Sequence, residues 1–298
     1  MVNIIDLKFQ GISKAIASFL IESEEGPVLI ETGPHSTFKN LQSAVSDLGY
    51  QIEDIKHVLL SHIHFDHAGA AWALAQHGAK IYLHPFGVKH MADPSRLYES
   101  AKRIYQDKMD TLWGKLEPIA QDRLIQMSHE EVLEIGNLKF VAHHTPGHAV
   151  HHIAWQLDDI LFTGDVAGVK VQSGPVMPPC PPPDINIEDW QKSMNLIRGL
   201  DINKMYLTHF GVITEIDQHL DELENCLTDW ADWMKAKWEQ GLTHQEITPQ
   251  FQAYVNSQLM DAGLTKEEID RYEAANPAWM SVAGLIRYWV KKKEGKKD

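Results

Sequence analysis

Four metal-binding side chains fall within six positions in Ser61-His62-Ile-His64-Phe-Asp66-His67, directly after the apolar run His57-Val-Leu-Leu. The run reads as a strand over 57–60 and the residues from Asp66 to about His77 as a helix, so the cluster sits where a strand ends and a helix begins. Imidazole and carboxylate suit zinc and other borderline divalent ions, with ligand distances of about 2.0–2.2 Å. His62 and His64, two apart in a locally extended turn, can pinch one ion between them. Asp66 and His67, where the chain turns into the helix, can face a second. One zinc ordinarily takes three or four protein ligands. Four at once therefore suggest two metals, with further ligands arriving from elsewhere.

Further ligand types follow the same plan. His148 stands in Thr145-Pro-Gly-His148 after the strand-like run 138–143, Asp165 in Leu161-Phe-Thr-Gly-Asp165, and His209 in Met205-Tyr-Leu-Thr-His209. Each comes at the end of an apolar run and before a loop, as an active site along one edge of a β-sheet requires. Gly147 and Gly164 leave room for tight turns beside a crowded site. The chain has 17 His. His143, His144, His151 and His152 crowd around His148 and are read as packing or supporting residues, and His35 as a possible lining of the pocket.

In order and context, His62, His64, Asp66, His67, His148, Asp165 and His209 resemble the seven-ligand pattern of the metallo-β-lactamase fold hydrolases, over roughly residues 1–212. The resemblance implies an α/β fold, the four-layer αββα sandwich. It implies a first ion on His62, His64 and His148, a second on Asp66, His67 and His209, and Asp165 bridging them with a water or hydroxide. Where the family usually carries Asp-Thr-Gly at the end of an early strand, this chain has Glu31-Thr32-Gly33. Glu31 is expected to support the ligands rather than bind metal.

Two ions supply a hydroxide near neutral pH and stabilise a developing oxyanion, and Asp66 can also orient that hydroxide. The expected reaction is hydrolysis of an activated acyl group, as thioester, ester or lactone. Zinc is the first choice of ion, with iron or manganese compatible. The ligands and the C-terminal helices resemble glyoxalase II. However, Val166-Ala-Gly-Val-Lys-Val171 lacks the Gly-Cys-Gly-Arg type of sequence of that branch. β-Lactamases proper are shorter secreted chains that usually carry Cys at Asp66 or its equivalent. The alternatives are an iron-dependent sulfur dioxygenase, a phosphodiesterase or nuclease of the same fold, or a regulatory protein that keeps the metal as scaffold.

A formal net charge of −14 argues against a nucleic-acid partner, which needs a basic patch. The terminal lysines, Lys291 to Lys293 with Lys296 and Lys297, read as a solvated tail. Cys180 and Cys226 form no C-x-x-C pair, so no disulfide framework is indicated. The N-terminus lacks a signal-peptide pattern, and no stretch approaches 18 apolar residues. The expectation is a cytoplasmic protein acting on a small acyl substrate, away from membranes, with a homodimer possible.

Strands are expected at 3–10, 15–22, 27–31, 80–83, 132–135, 138–143, 151–157, 160–163 and 204–208, and helices at 36–48 and 187–199. The segment 86–120 reads as a helical insertion and a possible lid. The proline-rich segment 166–186 can be neither helix nor central strand and reads as a pocket wall or a connector. Cys180 within it has no partner base and is not expected to be a nucleophile. Residues 213–298 read as a C-terminal helical region. There Ile216, Leu220, Leu223, Leu227, Trp230, Met234 and Trp238 form one apolar stripe, and Thr243/Glu246 and Thr265/Glu268 form two capping boxes.

Overall fold

The computed structural model describes residues 1–295; Lys296 and Lys297 of the lysine tail lie outside the described residues. Alternation along the strands builds the architecture. In β2 (Ala17–Ser23), β3 (Gly26–Ile30) and β4 (His57–Leu59), Phe19, Ile30 and Leu59 face one apolar cluster, while Leu20, Leu29 and Val58 face another. Successive side chains point to opposite faces, so the apolar runs Phe19–Ile21, Val28–Ile30 and Val58–Leu59 are buried on both sides.

With β1 (Val2–Asp6), β5 (Lys80–Leu83) and β6 (Leu124–Gln126), these strands form a sheet in the order β1-β2-β3-β4-β5-β6. It is antiparallel from β1 to β3 and parallel from β3 to β6. The second sheet runs β12-β11-β10-β9-β8-β7. Its strands are β7 (Glu131–Ile135), β8 (Leu138–His144), β9 (Ile153–Leu157), β10 (Ile160–Phe162), β11 (Lys204–Leu207) and β12 (Gly211–Ile213).

Between the sheets lie Phe19, Leu59 and Tyr82 from the first and Phe140, Trp155 and Phe162 from the second. On the outer faces lie α1 (Phe38–Asp47), α3 (Ala71–Gln76), α7 (Ile187–Arg198) and α8 (Ile216–Glu239), whose buried residues join the second cluster. This is the expected four-layer sandwich with C-terminal helices.

The insertion folds as α4 (Pro85–Ala92), α5 (Ser95–Tyr105) and α6 (Met109–Leu112). After α8 come α9 (His244–Asp261), α10 (Lys266–Ala275) and α11 (Ala278–Lys293). Both capping boxes are formed, Thr243 with Glu246 and Thr265 with Glu268. Leu220, Leu223, Leu227, Trp230 and Met234 are buried along α8. No described helix is long and apolar enough to cross a membrane.

Several boundaries differ from the sequence expectation. The first strand stops at Asp6, whose carboxylate accepts the N–H groups of Lys8 and Lys14 and turns the chain. The helix expected from Asp66 to about His77 is two short helices, α2 (Phe65–Ala68) and α3. They part near Gly69, where a Cβ would stand 2.4 Å from the Phe65 carbonyl and 2.9 Å from the Pro34 Cα. The strand expected at 151–157 begins at Ile153, so His151 and His152 stand before it. β6 and β12, three residues each, are strands the sequence reading does not contain.

Candidate metal centre

The strand ends converge on one edge of the sandwich. Past β4 the chain is held by cross-links between the sheets: Ile153 N–H donates to the Ser61 carbonyl at 2.7 Å and Trp155 Nε1 to the Leu60 carbonyl at 3.0 Å. On the other side Ala17 N–H donates to the Thr208 carbonyl at 2.8 Å. Gly147 has φ +136°, and a Cβ there would stand 2.3 Å from the Trp190 Cα, so the turn before His148 lies directly on α7.

All seven expected ligands meet at this edge. His62, His64 and His148 form one group, with His62 Nε2 2.8 Å and His148 Nε2 3.0 Å from His64 Nδ1. Asp66, His67 and His209 form a second. There His209 Nε2 lies 3.3 Å from His67 Nε2 and 3.5 Å from Asp66 Oδ2. Asp165 stands between them: Oδ2 is 3.3 Å from His148 Nε2, while Oδ1 is 3.1 Å from His67 Nε2 and 3.4 Å from His209 Nε2. One carboxylate oxygen thus faces each group. Asp66 is the most open of the carboxylates, 23% exposed against 3% for Asp165.

The rings are aimed from behind. His148 Nδ1–H donates to the Pro179 carbonyl at 2.8 Å and His209 Nδ1–H to the Ala15 carbonyl at 2.7 Å. A carbonyl can only accept, so in the neutral ring each Nε2 is a lone pair facing inward. His62 Nδ1 lies 2.9 Å from Ser61 Oγ. Glu31 lies behind His67: Oε1 accepts Ser61 N–H at 3.0 Å and Oε2 lies 3.3 Å from His67 Nδ1. Its backbone sits in the left-handed region at φ 60°, which costs a non-glycine residue on the order of 1–3 kcal/mol.

Electrostatics divides the two groups. Burial, with neighbouring imidazoles, pushes His62 well down and His64 to about 3, and burial also lowers His148. These imidazoles are neutral near pH 7, the form that binds metal. Burial opposes charge on His67 and His209 too, but Asp165 and Asp66 override it and raise both. Burial would likewise raise Asp165, yet His67, His148 and His209 hold it well below the usual carboxylate range.

The donor set fits divalent ions. Nitrogens 2.0–2.1 Å from a tetrahedral ion stand roughly 3.3–3.4 Å apart, close to the 2.8–3.3 Å between the facing nitrogens here. Asp165 Oδ1 and Glu31 Oε2 are buried without a hydrogen bond of good geometry, as an oxygen reserved for a cation or for a ligand's N–H would be.

Other histidines take packing or supporting places. His152 accepts Asp165 N–H at Nε2 and pairs with Thr145 Oγ1 at Nδ1. The His151 ring lies 5.7–6.1 Å from those of His64 and His62. His143 bonds to Gln156 and His144 to the Met127 carbonyl. His35 is engaged with Trp72 and Phe38 and accepts Lys115 N–H. Burial pushes the Cys180 thiol well up, which leaves it unactivated. The sequence reading did not find Ser61 or the carbonyls of Ala15 and Pro179; a backbone carbonyl has no side-chain identity to read.

A sequence model of the metallo-beta-lactamase superfamily matches residues 14–209. A metallo-beta-lactamase fold-containing protein of Sulfurisphaera tokodaii is 26% identical over 211 residues, 69% of this chain and 77% of that protein. The crystal structure of an archaeal metallo-beta-lactamase superfamily protein from Sulfolobus tokodaii matches with a TM-score of 0.61 at 25% identity, over 74% of this chain and 85% of that one. An N-acyl homoserine lactonase from Bacillus is 27% identical over 180 residues, 51% of this chain and 64% of the lactonase. A thioesterase of Emericella nidulans is 27% identical over 210 residues, 67% of this chain and 47% of the thioesterase.

Proposed function

The chain belongs to the metallo-beta-lactamase superfamily, and from that premise we propose that it is a two-ion hydrolase of activated acyl compounds, whether thioester, ester or lactone. The observation that carries the reading is Asp165, one oxygen facing His148 and the other facing His67 and His209. His62, His64 and His148 would hold one ion and Asp66, His67 and His209 the other, with Asp165 shared. Zinc suits this all-nitrogen-and-oxygen set, as do iron and manganese.

When bound, two such ions supply a hydroxide near neutral pH and polarise the carbonyl to be attacked. The protein's own share is positioning. Asp66, partly exposed at the mouth, is assigned to orient the nucleophile. Glu31, Ser61 and the carbonyls of Ala15 and Pro179 keep the imidazoles aimed.

Beside Asp66 stands an aromatic wall. Phe65 stacks on Trp113 with ring centroids 5.8 Å apart, Trp113 meets Tyr105 at 5.1 Å, and Tyr105 meets Trp279 of α11 at 5.8 Å. The Tyr105 hydroxyl donates to Met280 Sδ at 3.6 Å. Burial and the Asp66 carboxylate both raise its pKa, so the phenol keeps its proton. In this reading the insertion and the last helix together wall an apolar acyl site and exclude water from it. The lactonase and thioesterase among the relatives support the acyl class.

The test is metal content of the purified protein alongside hydrolysis of a panel of thioesters, lactones and aryl esters. About two zinc or iron per chain with metal-dependent hydrolysis is expected. One iron per chain, with oxygen uptake and no hydrolysis, would overturn the reading.

A further inference from the structure

The proline-rich loop and the last helix meet at a single peptide group. The Pro179 carbonyl accepts His148 Nδ1–H at 2.8 Å, and the N–H at the other end of that same peptide, on Cys180, donates to Ser281 Oγ at 3.3 Å. A peptide unit is planar, so its two ends turn together. Holding the N–H on α11 sets the direction of the carbonyl that holds His148.

The surroundings reinforce that grip. Asn276 Nδ2 donates to the Pro178 carbonyl at 3.2 Å, and Arg287 Nε to the Pro183 carbonyl at 3.0 Å. Gly284 lies between Ser281 and Arg287 on the same helix face. A Cβ there would stand 2.1 Å from the Cys180 carbonyl oxygen and 2.9 Å from the Pro181 carbonyl carbon. A fully buried serine and a mid-helix glycine are poor choices for a helix as such. Both are accounted for by a loop backbone lying directly on α11. Among the described residues no hydrogen bond to α11 backs the rings of the second ligand group: His209 is backed by the Ala15 carbonyl and His67 by Glu31.

We infer that Ser281 is a positioning residue for His148, and that through the Pro179–Cys180 peptide the last helix sets the affinity of the His62/His64/His148 site while leaving the Asp66/His67/His209 site alone. This rests on the metal centre proposed above. It makes α11 a working part of the first-ion site rather than an outer cover.

The experiment titrates apo full-length protein with cobalt(II), following the d–d absorption, for wild type, His148→Ala, Ser281→Ala, Gly284→Ala and Trp289→Leu. His148→Ala identifies which step of the titration belongs to the first site. Ser281→Ala should weaken that step by about tenfold or more, the scale of a supporting-residue change, and leave the other step unchanged. Gly284→Ala, with the hydroxyl intact but the loop displaced, should weaken the same step. Trp289→Leu removes the indole bond to the Ala231 carbonyl far along α11; it should lower the thermal midpoint without touching either affinity. Wild-type affinities at both steps in Ser281→Ala would overturn the inference. So would an equal loss at both steps accompanied by the loss of thermal stability seen in Trp289→Leu. Wild-type protein that binds no cobalt would overturn the metal centre itself, and this inference with it.

Discussion

At the scale of residues, the site gathers neutral imidazoles on one side and carboxylates facing imidazoles on the other. His62, His64 and His148 are kept neutral by burial with their nitrogens converging, while Asp165 is held ionised. Replacing Asp165 or His64 by Ala should therefore remove metal and activity together. Changes to supporting residues alone cost about 10–100-fold, so loss of a ligand should cost at least about 100-fold in kcat/KM. Retention of both metal and turnover in either variant would disprove the ligand assignment. Glu31→Gln keeps the shape but removes the charge beside His67 Nδ1. Metal affinity should fall by roughly tenfold, read by competition with a chromophoric chelator, and an unchanged affinity would remove Glu31 from the supporting set.

At the scale of elements, the helices carry their own stops and starts. Thr243 accepts Glu246 N–H at 3.3 Å while Glu246 accepts Thr243 N–H at 2.8 Å, satisfying two donors that helix geometry leaves free. Thr243→Ala should cost about 1 kcal/mol of unfolding free energy, measured by urea denaturation, without changing metal content. A fall in metal content would show that α9 is coupled to the site. Between the sheets, Phe162 packs on Phe19 at 5.2 Å and on Tyr206 at 5.2 Å between ring centroids. Phe162→Ala should cost about 3–5 kcal/mol, and a loss under 1 kcal/mol would mean that this layer is not close-packed.

At the scale of the whole molecule, the histidine content makes stability depend on pH. Burial, first of all, lowers His84 to about 4, and it also lowers His143, His144 and His219. The unfolded chain, with histidine near its ordinary value of about 6.5, binds these protons before the folded chain does. The contribution of these four histidines is therefore full above about pH 6.5 and falls as pH drops through the window toward 4. Thermal midpoints of the chelator-treated protein should fall steadily over that range. A flat profile between pH 7 and 5 would contradict the buried, neutral state of these residues.

What the sequence determined by itself is what local chemistry dictates. Metal ligands must be particular residue types, so the candidates stood out: His62, His64, Asp66 and His67 after one apolar run, and His148, Asp165 and His209 after three others. Doubly buried strands must be apolar throughout, and capping boxes name their own helices, so the sandwich and the starts of α9 and α10 were legible too. What only the tertiary structure decided depends on partners distant in the chain. β6 and β12 exist because a neighbouring strand pairs with them, not because three residues alternate. The break after Gly69 depends on the early turn, whose Gly33 carbonyl takes the Ala70 N–H at 3.0 Å in place of a bond along the helix. The aim of His148 and His209 depends on the carbonyls of Pro179 and Ala15, and a carbonyl is the same atom in every residue. Which carbonyl lies behind which ring is settled by folding alone, because only packing brings together groups so far apart along the chain.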